Sequence, residues 1–272
     1  MLASIMMPPP VWCIAGAVLL TACSREQAPL DSDRVLTVFA AASLVAAFDS
    51  LGEVLERRTP DLGVRFNSAG SQQLARQLAQ GAEGDVFASP DERWMRFAVE
   101  RGLVEEPEVF ARNRLVVIFA RRPELETMQL VNLASPGLKL VLAAPEVPLG
   151  RYARQSLRKL SAAPGFGPDF AARAEEGAVS LEDNARSVLA KVRLGEADAG
   201  IVYGSDVAPG DTAVRVVAIP DPFNVDVEYH IAVVKAARDT AAARGFIALV
   251  RGAEGQAILE RYGFLSVPPA SR

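Results

Sequence analysis

Apolar and polar positions along this chain follow two rhythms, and the switches between them mark its elements. Arg34-Val35-Leu36-Thr37-Val38-Phe39 is apolar and β-branched, which predicts a buried strand. Beyond it Leu44, Ala47, Phe48, Leu51 and Leu55 recur at helical spacing and predict a helix over 44–58. The junction, Ala40-Ala41-Ala42-Ser43, is built from small residues ending in a hydroxyl. A serine in the first turn of a helix, flanked by alanines, leaves backbone N–H groups open above the strand's carboxyl end. That geometry suits an anion.

The same junction recurs. A strand over 63–66 leads through Asn67-Ser68-Ala69-Gly70-Ser71 into a helix over 72–80, which Gly81 stops. Asp85-Val86-Phe87-Ala88-Ser89 reads as a strand, and Asp91 opens a helix whose Trp94, Met95, Phe97 and Ala98 read as core. Leu115-Val116-Val117-Ile118-Phe119-Ala120 predicts a strand buried on both faces. A strand over 138–143 enters Pro145-Glu146-Val147-Pro148-Leu149-Gly150 and a helix over 151–160. A Pro/Gly-rich loop covers 161–167, and Asp183-Asn184 caps a helix over 186–194. A strand over 199–203 ends in Tyr203-Gly204-Ser205-Asp206. Strands over 214–219 and 227–234 and helices over 240–251 and 254–262 complete the chain. Helices thus begin at small-residue or Asx caps after Ser43, Ser71, Leu149 and Asn184. Alternating strands and helices predict an α/β fold of parallel sheets flanked by helices, with ligands at the strands' carboxyl ends. The number of strands favours two lobes.

Composition narrows the function. With 272 residues, half of them hydrophobic, the chain can bury a substantial core. Its net charge of −4 excludes tracking a nucleic-acid backbone. An anion site would have to act through local dipoles rather than an overall positive field. The apolar run over 11–20 is too short to span a bilayer and ends in Leu20-Thr21-Ala22-Cys23, which resembles a bacterial lipobox. On that reading 1–22 is a lipoprotein leader, Cys23 is the lipidated amino terminus and 23–33 is a polar tether. The leader departs from the usual pattern in carrying no Lys or Arg over 1–10. Cys23 would be the mature chain's single cysteine, so no internal disulfide is expected.

Several ordered motifs resemble the periplasmic molybdate-binding proteins of ABC importers. They are Val38-Phe39-Ala40-Ala41-Ala42-Ser43-Leu44; Gly70-Ser71 with Leu74-Ala75-Arg76-Gln77; Asp85-Val86-Phe87; and Pro145-Glu146 with Gly150-Arg151-Tyr152. Glu182-Asp183, Gly200-Ile201-Val202-Tyr203-Gly204-Ser205-Asp206 and Arg261-Tyr262-Gly263-Phe264 complete a likeness spanning 35–265. The resemblance implies a two-lobed periplasmic-binding-protein fold of type II, with parallel-dominated sheets and two crossings between lobes. One lobe would hold 34–113 and 231–272, the other 114–230. It implies hydroxyl donors at Ser43, Ser71 and Tyr203 and amide donors at Ser43, Ser71, Leu149 and Ala185, holding the oxyanion without a direct protein–metal bond. Around Ala185 the segment Asp183-Asn184-Ala185-Arg186 departs from the family's usual valine. It further implies a monomeric, non-enzymatic protein, free of cofactors and outside the cytoplasm, where the lipobox would anchor it to lipid. Such a protein would deliver molybdate, and tungstate with it, to an inner-membrane permease.

Other readings compete with this one. Ser43 and Ser71 taken singly are ordinary caps, and Tyr203 could anchor a core. Sulfate is another tetrahedral oxyanion with the same donor requirements. A hydrolase could use the amide cluster as an oxyanion hole, but His230 is the single histidine available as its base. A sensor presenting the closed lobes to a receptor is a third possibility.

Overall fold

The structure, a computed structural model, describes residues 34–267. The leader, Cys23 and the tether lie outside the described residues. The described chain forms two five-stranded mixed sheets with helices packed against them. In the first sheet β1 (Arg34–Ala41) pairs in parallel with β2 (Leu62–Ala69) and β3 (Val86–Ser89). The helices α1 (Val45–Arg58), α2 (Ser71–Ala79) and α3 (Glu92–Glu100) link or follow these strands. In the second sheet β6 (Leu140–Ala143) pairs in parallel with β7 (Ala178–Glu182) and β8 (Ala199–Tyr203). Here α4 (Pro148–Ser161), α5 (Phe170–Glu176) and α6 (Ala185–Arg193) make the connections.

Each sheet also holds one reversed strand, antiparallel to both its neighbours, which strand–helix alternation does not reveal. β4 (Glu108–Asn113) runs almost directly into β5 (Leu115–Ala120), with Arg114 alone between them. β9 (Val214–Ala218) returns to β10 (Val227–Val233), which pairs antiparallel with β3 and β4, while β5 pairs antiparallel with β8 and β9. Passing between sheets without a crossover helix reverses strand direction. The return crossing lies at Val225–Asp226, ahead of β10, so 227–230 belong with the first sheet rather than with the second as the sequence reading had it. The reason is pairing: His230 stands opposite Ser89 in β3 and Val109 in β4, fixing the whole strand there. α7 (Thr240–Arg251) and α8 (Ala253–Arg261) then close over the first sheet, and Leu265 pairs with Arg112.

Both crossings are pinned by a buried asparagine. Asn113 accepts the Arg114 N–H on Oδ1 at 2.9 Å. Asn224 accepts from Leu115 N at 3.0 Å and donates to Leu115 O at 2.9 Å, tying the outgoing strand to the returning one. Phe48 packs with Phe66, Phe110 and Phe246 in the first half, and Trp94, Met95 and Ala98 are buried as read from the sequence.

Candidate oxyanion site between the sheets

Parallel register aligns strand ends. Ala41 of β1 stands beside Ala69 of β2, and Ala40 beside Ala88 of β3, so the first residues after these strands face one region. A 3-10 turn at Ala42–Leu44 carries Ser43 into α1, and Gly70 delivers Ser71 as the first residue of α2. In the second sheet Ala143 of β6 is level with Glu182 of β7, placing the starts of α4 and α6 side by side with the end of β8. Asn184 caps α6 by accepting the Ser187 N–H at 3.0 Å.

The result is a cavity of about 20 Å³ lined by Ser43, Ser71, Leu149, Ala185 and Tyr203, with Pro90 and Val147 among its remaining walls. The five residues singled out from the sequence therefore meet around one void. Its size admits one small species, not a sugar or peptide. Every lining side chain is uncharged. What the walls offer are the first turns of α1, α2, α4 and α6, whose leading N–H groups have no partner within the helix. Their dipoles carry partial positive charge toward the void. Two hydroxyls complete it. Ser71 Oγ and Tyr203 Oη are buried, each residue 1 % exposed, and neither has a hydrogen-bond partner. A buried hydroxyl without a partner costs about 1–3 kcal/mol, so such a pair in one void points to a ligand. Burial, with lesser effects from Tyr229 and nearby acids, holds the Tyr203 phenol well above its usual titration range, and it remains a donor.

Close approach of backbone makes the void possible. A Cβ on Gly150 would lie 2.0 Å from Ala144 O and 2.4 Å from Ala143 O. Only glycine lets α4 start directly on the end of β6 and bring the Leu149 amide to the cavity. Gly70 is restricted similarly, since a Cβ there would lie 2.5 Å from Asp183 O on the facing half.

The halves are closed on each other. Gln72 Nε2 donates to Asp183 O at 2.9 Å, Trp94 Nε1 to Glu146 O at 3.1 Å, and Tyr152 Oη to Pro90 O at 3.0 Å. Arg151 of α4 pairs at 2.5 Å with the buried carboxylate of Asp91, the N-cap of α3. None of these seam contacts was evident from sequence, because each joins residues far apart in the chain. Tyr229 was missed too, although it hydrogen-bonds Ser43; in the alternating strand it reads as one more inward-facing ring.

Of two further ionisable groups, one is linked to the site and the other is not. Asp206 accepts the Tyr203 N–H at 2.9 Å and lines a neighbouring cavity of about 420 Å³ with Ser43 and Arg186. Burial pushes its carboxyl up to about 7 against the opposing pull of that N–H and of the Arg186 charge. His230 does not line the small cavity. It lies in a separate groove with Asp91, Arg151 and Glu228, its Nδ1 has no partner, and burial lowers its pKa. The base needed by the hydrolase reading is therefore not at the amide cluster. Among the described residues no group of His, Cys, Asp and Glu could hold a metal ion, and no helix is long and apolar enough to cross a membrane.

Comparison with known proteins places this geometry. The Mycobacterium tuberculosis H37Rv protein "Molybdate-binding protein ModA" is 38 % identical over 242 residues, covering 89 % of this chain and 88 % of that protein. The solved periplasmic molybdate-binding protein of Azotobacter vinelandii superposes with a TM-score of 0.74 at 21 % identity, covering 86 % of this chain and all of the other. The sulfate-binding protein SubI of M. tuberculosis superposes with 0.76 at 17 % identity, covering 87 % and 88 %, so the likeness in fold does not separate the two anions. A family model described as "Bacterial extracellular solute-binding protein" matches residues 36–265, and the chain belongs to that family.

Proposed function

We propose that this protein captures molybdate, and tungstate with it, in the cavity between its two halves and releases it to an ABC permease. The observation that carries this reading is the pair of buried, unpartnered hydroxyls of Ser71 and Tyr203 in a neutral void ringed by helix amino termini. Molybdate near neutral pH is a tetrahedral dianion whose oxygens only accept hydrogen bonds. Ser43, Ser71 and Tyr203 supply hydroxyl donors, and Ser43, Ser71, Leu149 and Ala185 supply amides. Hydrogen bonds to a charged group contribute about 1.5–3 kcal/mol each, so a handful suffices without an arginine or lysine. Because donors come from both halves, the anion stabilises the closed form, which supports capture by closure and release by opening. The halves act as lobes of 34–113 with 227–267, and 114–226. Function as a monomeric carrier without catalysis, tethered outside the cytoplasm through Cys23, completes the reading.

The relatedness to named molybdate-binding proteins favours molybdate over sulfate. Thermal unfolding with molybdate, tungstate, sulfate and phosphate tests it. Molybdate and tungstate are expected to raise the melting temperature well above the other two. Stabilisation by sulfate alone would overturn the assignment.

A further inference from the structure

A serine hydroxyl has one proton, and its direction decides whether Ser43 meets an anion as donor or acceptor. Ser43 Oγ and Tyr229 Oη lie 3.1 Å apart, so one of them donates to the other. The group behind Tyr229 fixes which. Asn113 Oδ1 accepts the Arg114 N–H at 2.9 Å, and a backbone N–H can only donate, so the orientation of this side-chain amide is set. Its Nδ2 therefore faces Ser205 Oγ at 2.7 Å and Tyr229 Oη at 3.4 Å. An amide nitrogen donates and does not accept, so the phenol oxygen is the acceptor there and its proton turns toward Ser43. Ser43 then accepts from Tyr229 and keeps its own proton for the cavity.

We propose that Asn113 and Tyr229 are positioning residues, a relay that aims the Ser43 proton at the bound oxyanion. The chain runs from the Asn113 amide to the Tyr229 phenol to the Ser43 hydroxyl to an anion oxygen, with every donor pointing the same way. The surroundings suit it. Both Asn113 and Tyr229 are buried, and the Tyr229 ring is held edge-on by Phe110, Tyr203 and Phe264. Burial also keeps the phenol protonated across the ordinary pH range. The relay starts at the first crossing between sheets, and the Asn113 contact to Ser205 reaches the segment that follows Tyr203. Donor direction is thereby tied to the hinge on one side and to the second half on the other. The inference rests on the oxyanion reading of the cavity.

The test is a double-mutant cycle read by calorimetry with molybdate. Tyr229→Phe keeps the ring packing and removes the hydroxyl. It is expected to weaken binding roughly ten-fold in the parent, the scale of one charge-assisted hydrogen bond, and less than about two-fold in a Ser43→Ala background. Equal losses in both backgrounds, or no loss in the parent, would overturn the relay. Asn113→Asp supplies a second reading through reversed polarity. A carboxylate would take the Tyr229 proton, turn the Ser43 proton toward Tyr229 and present a lone pair to the cavity. At pH 8 molybdate and hydrogen phosphate are both dianions, so the added charge affects both alike. The molybdate-to-phosphate affinity ratio should narrow several-fold in Asn113→Asp and stay unchanged when Ser43→Ala is also present. An unchanged ratio in the Asn113→Asp single variant would contradict the proposal. If the parent protein binds none of the oxyanions, the site reading itself fails. If the parent binds and Tyr229→Phe matches it, the relay alone fails.

Discussion

Two of the hollows along the seam between the sheets are built from opposite chemistry. One has a volume of about 20 Å³, has neutral walls, and is lined by the leading residues of helices. The other has a volume of about 680 Å³ and is lined by Asp91, Glu92, Arg93, Arg96, Arg151, Glu228 and His230. A count of cations would assign the anion to the second. There, however, Arg151 is paired with buried Asp91 and Arg96 with Glu92, while Arg93 lies over the Trp94 ring. In the first, the hydroxyls of Ser71 and Tyr203 have no partner. The Arg151–Asp91 pair in the groove joins the halves, and on the proposed reading dipoles in the small void supply the binding. This division explains how a chain of net charge −4 can hold a dianion.

The comparison can be broken most sharply at Ser71. Ser71→Ala removes a buried hydroxyl that has no other partner, so nothing in the free protein loses a bond. Calorimetry should show molybdate affinity falling roughly ten- to hundred-fold, with the unliganded melting temperature unchanged or slightly raised. Parent-like affinity would remove the small void from the account.

A smaller effect should appear at Asp206, whose carboxyl accepts the Tyr203 N–H. Its carboxyl titrates near 7 in the fold against about 4 in an unfolded chain. The folded state therefore holds the extra proton between those values, and its stability declines as pH rises from about 4 to 7. Asp206→Asn, which still offers an oxygen to the Tyr203 N–H, should flatten that decline in denaturant titrations at pH 5 and pH 8. Because a dianion favours the protonated acid, molybdate affinity in the parent should fall modestly as pH rises through about 7, and less so in Asp206→Asn. A parent profile identical to the variant's would show that Asp206 is ionised throughout.

Much of this arrangement was legible in the chain because it depends on local chemistry. Small residues after an apolar run, then a serine or asparagine, then helical spacing, place Ser43, Ser71 and Ala185 at helix starts whatever the remaining topology. What escaped depends on distance along the chain. β4 was unseen because Glu108 and Arg112 within its six residues make a short strand look like loop. α5 has only Phe170 as a large apolar residue. β7 hides for a different reason: as an edge strand it exposes Val179 and Leu181 to solvent, so its alternation has no buried face to reveal. The antiparallel strands follow from crossings one or two residues long, which carry no periodicity. The Asn113–Tyr229–Ser43 relay joins two strands and a 3-10 turn, and no spacing in the sequence encodes it.

The central claim is that neutral dipoles rather than paired charges hold the anion. Anomalous diffraction from crystals soaked in molybdate, recorded at the molybdenum edge, tests it most directly. The account predicts one strong peak in the void enclosed by Ser43, Ser71, Leu149, Ala185 and Tyr203, with no protein atom bonded to the metal. A peak in the groove beside Arg151 and His230, with the small void empty, would contradict it.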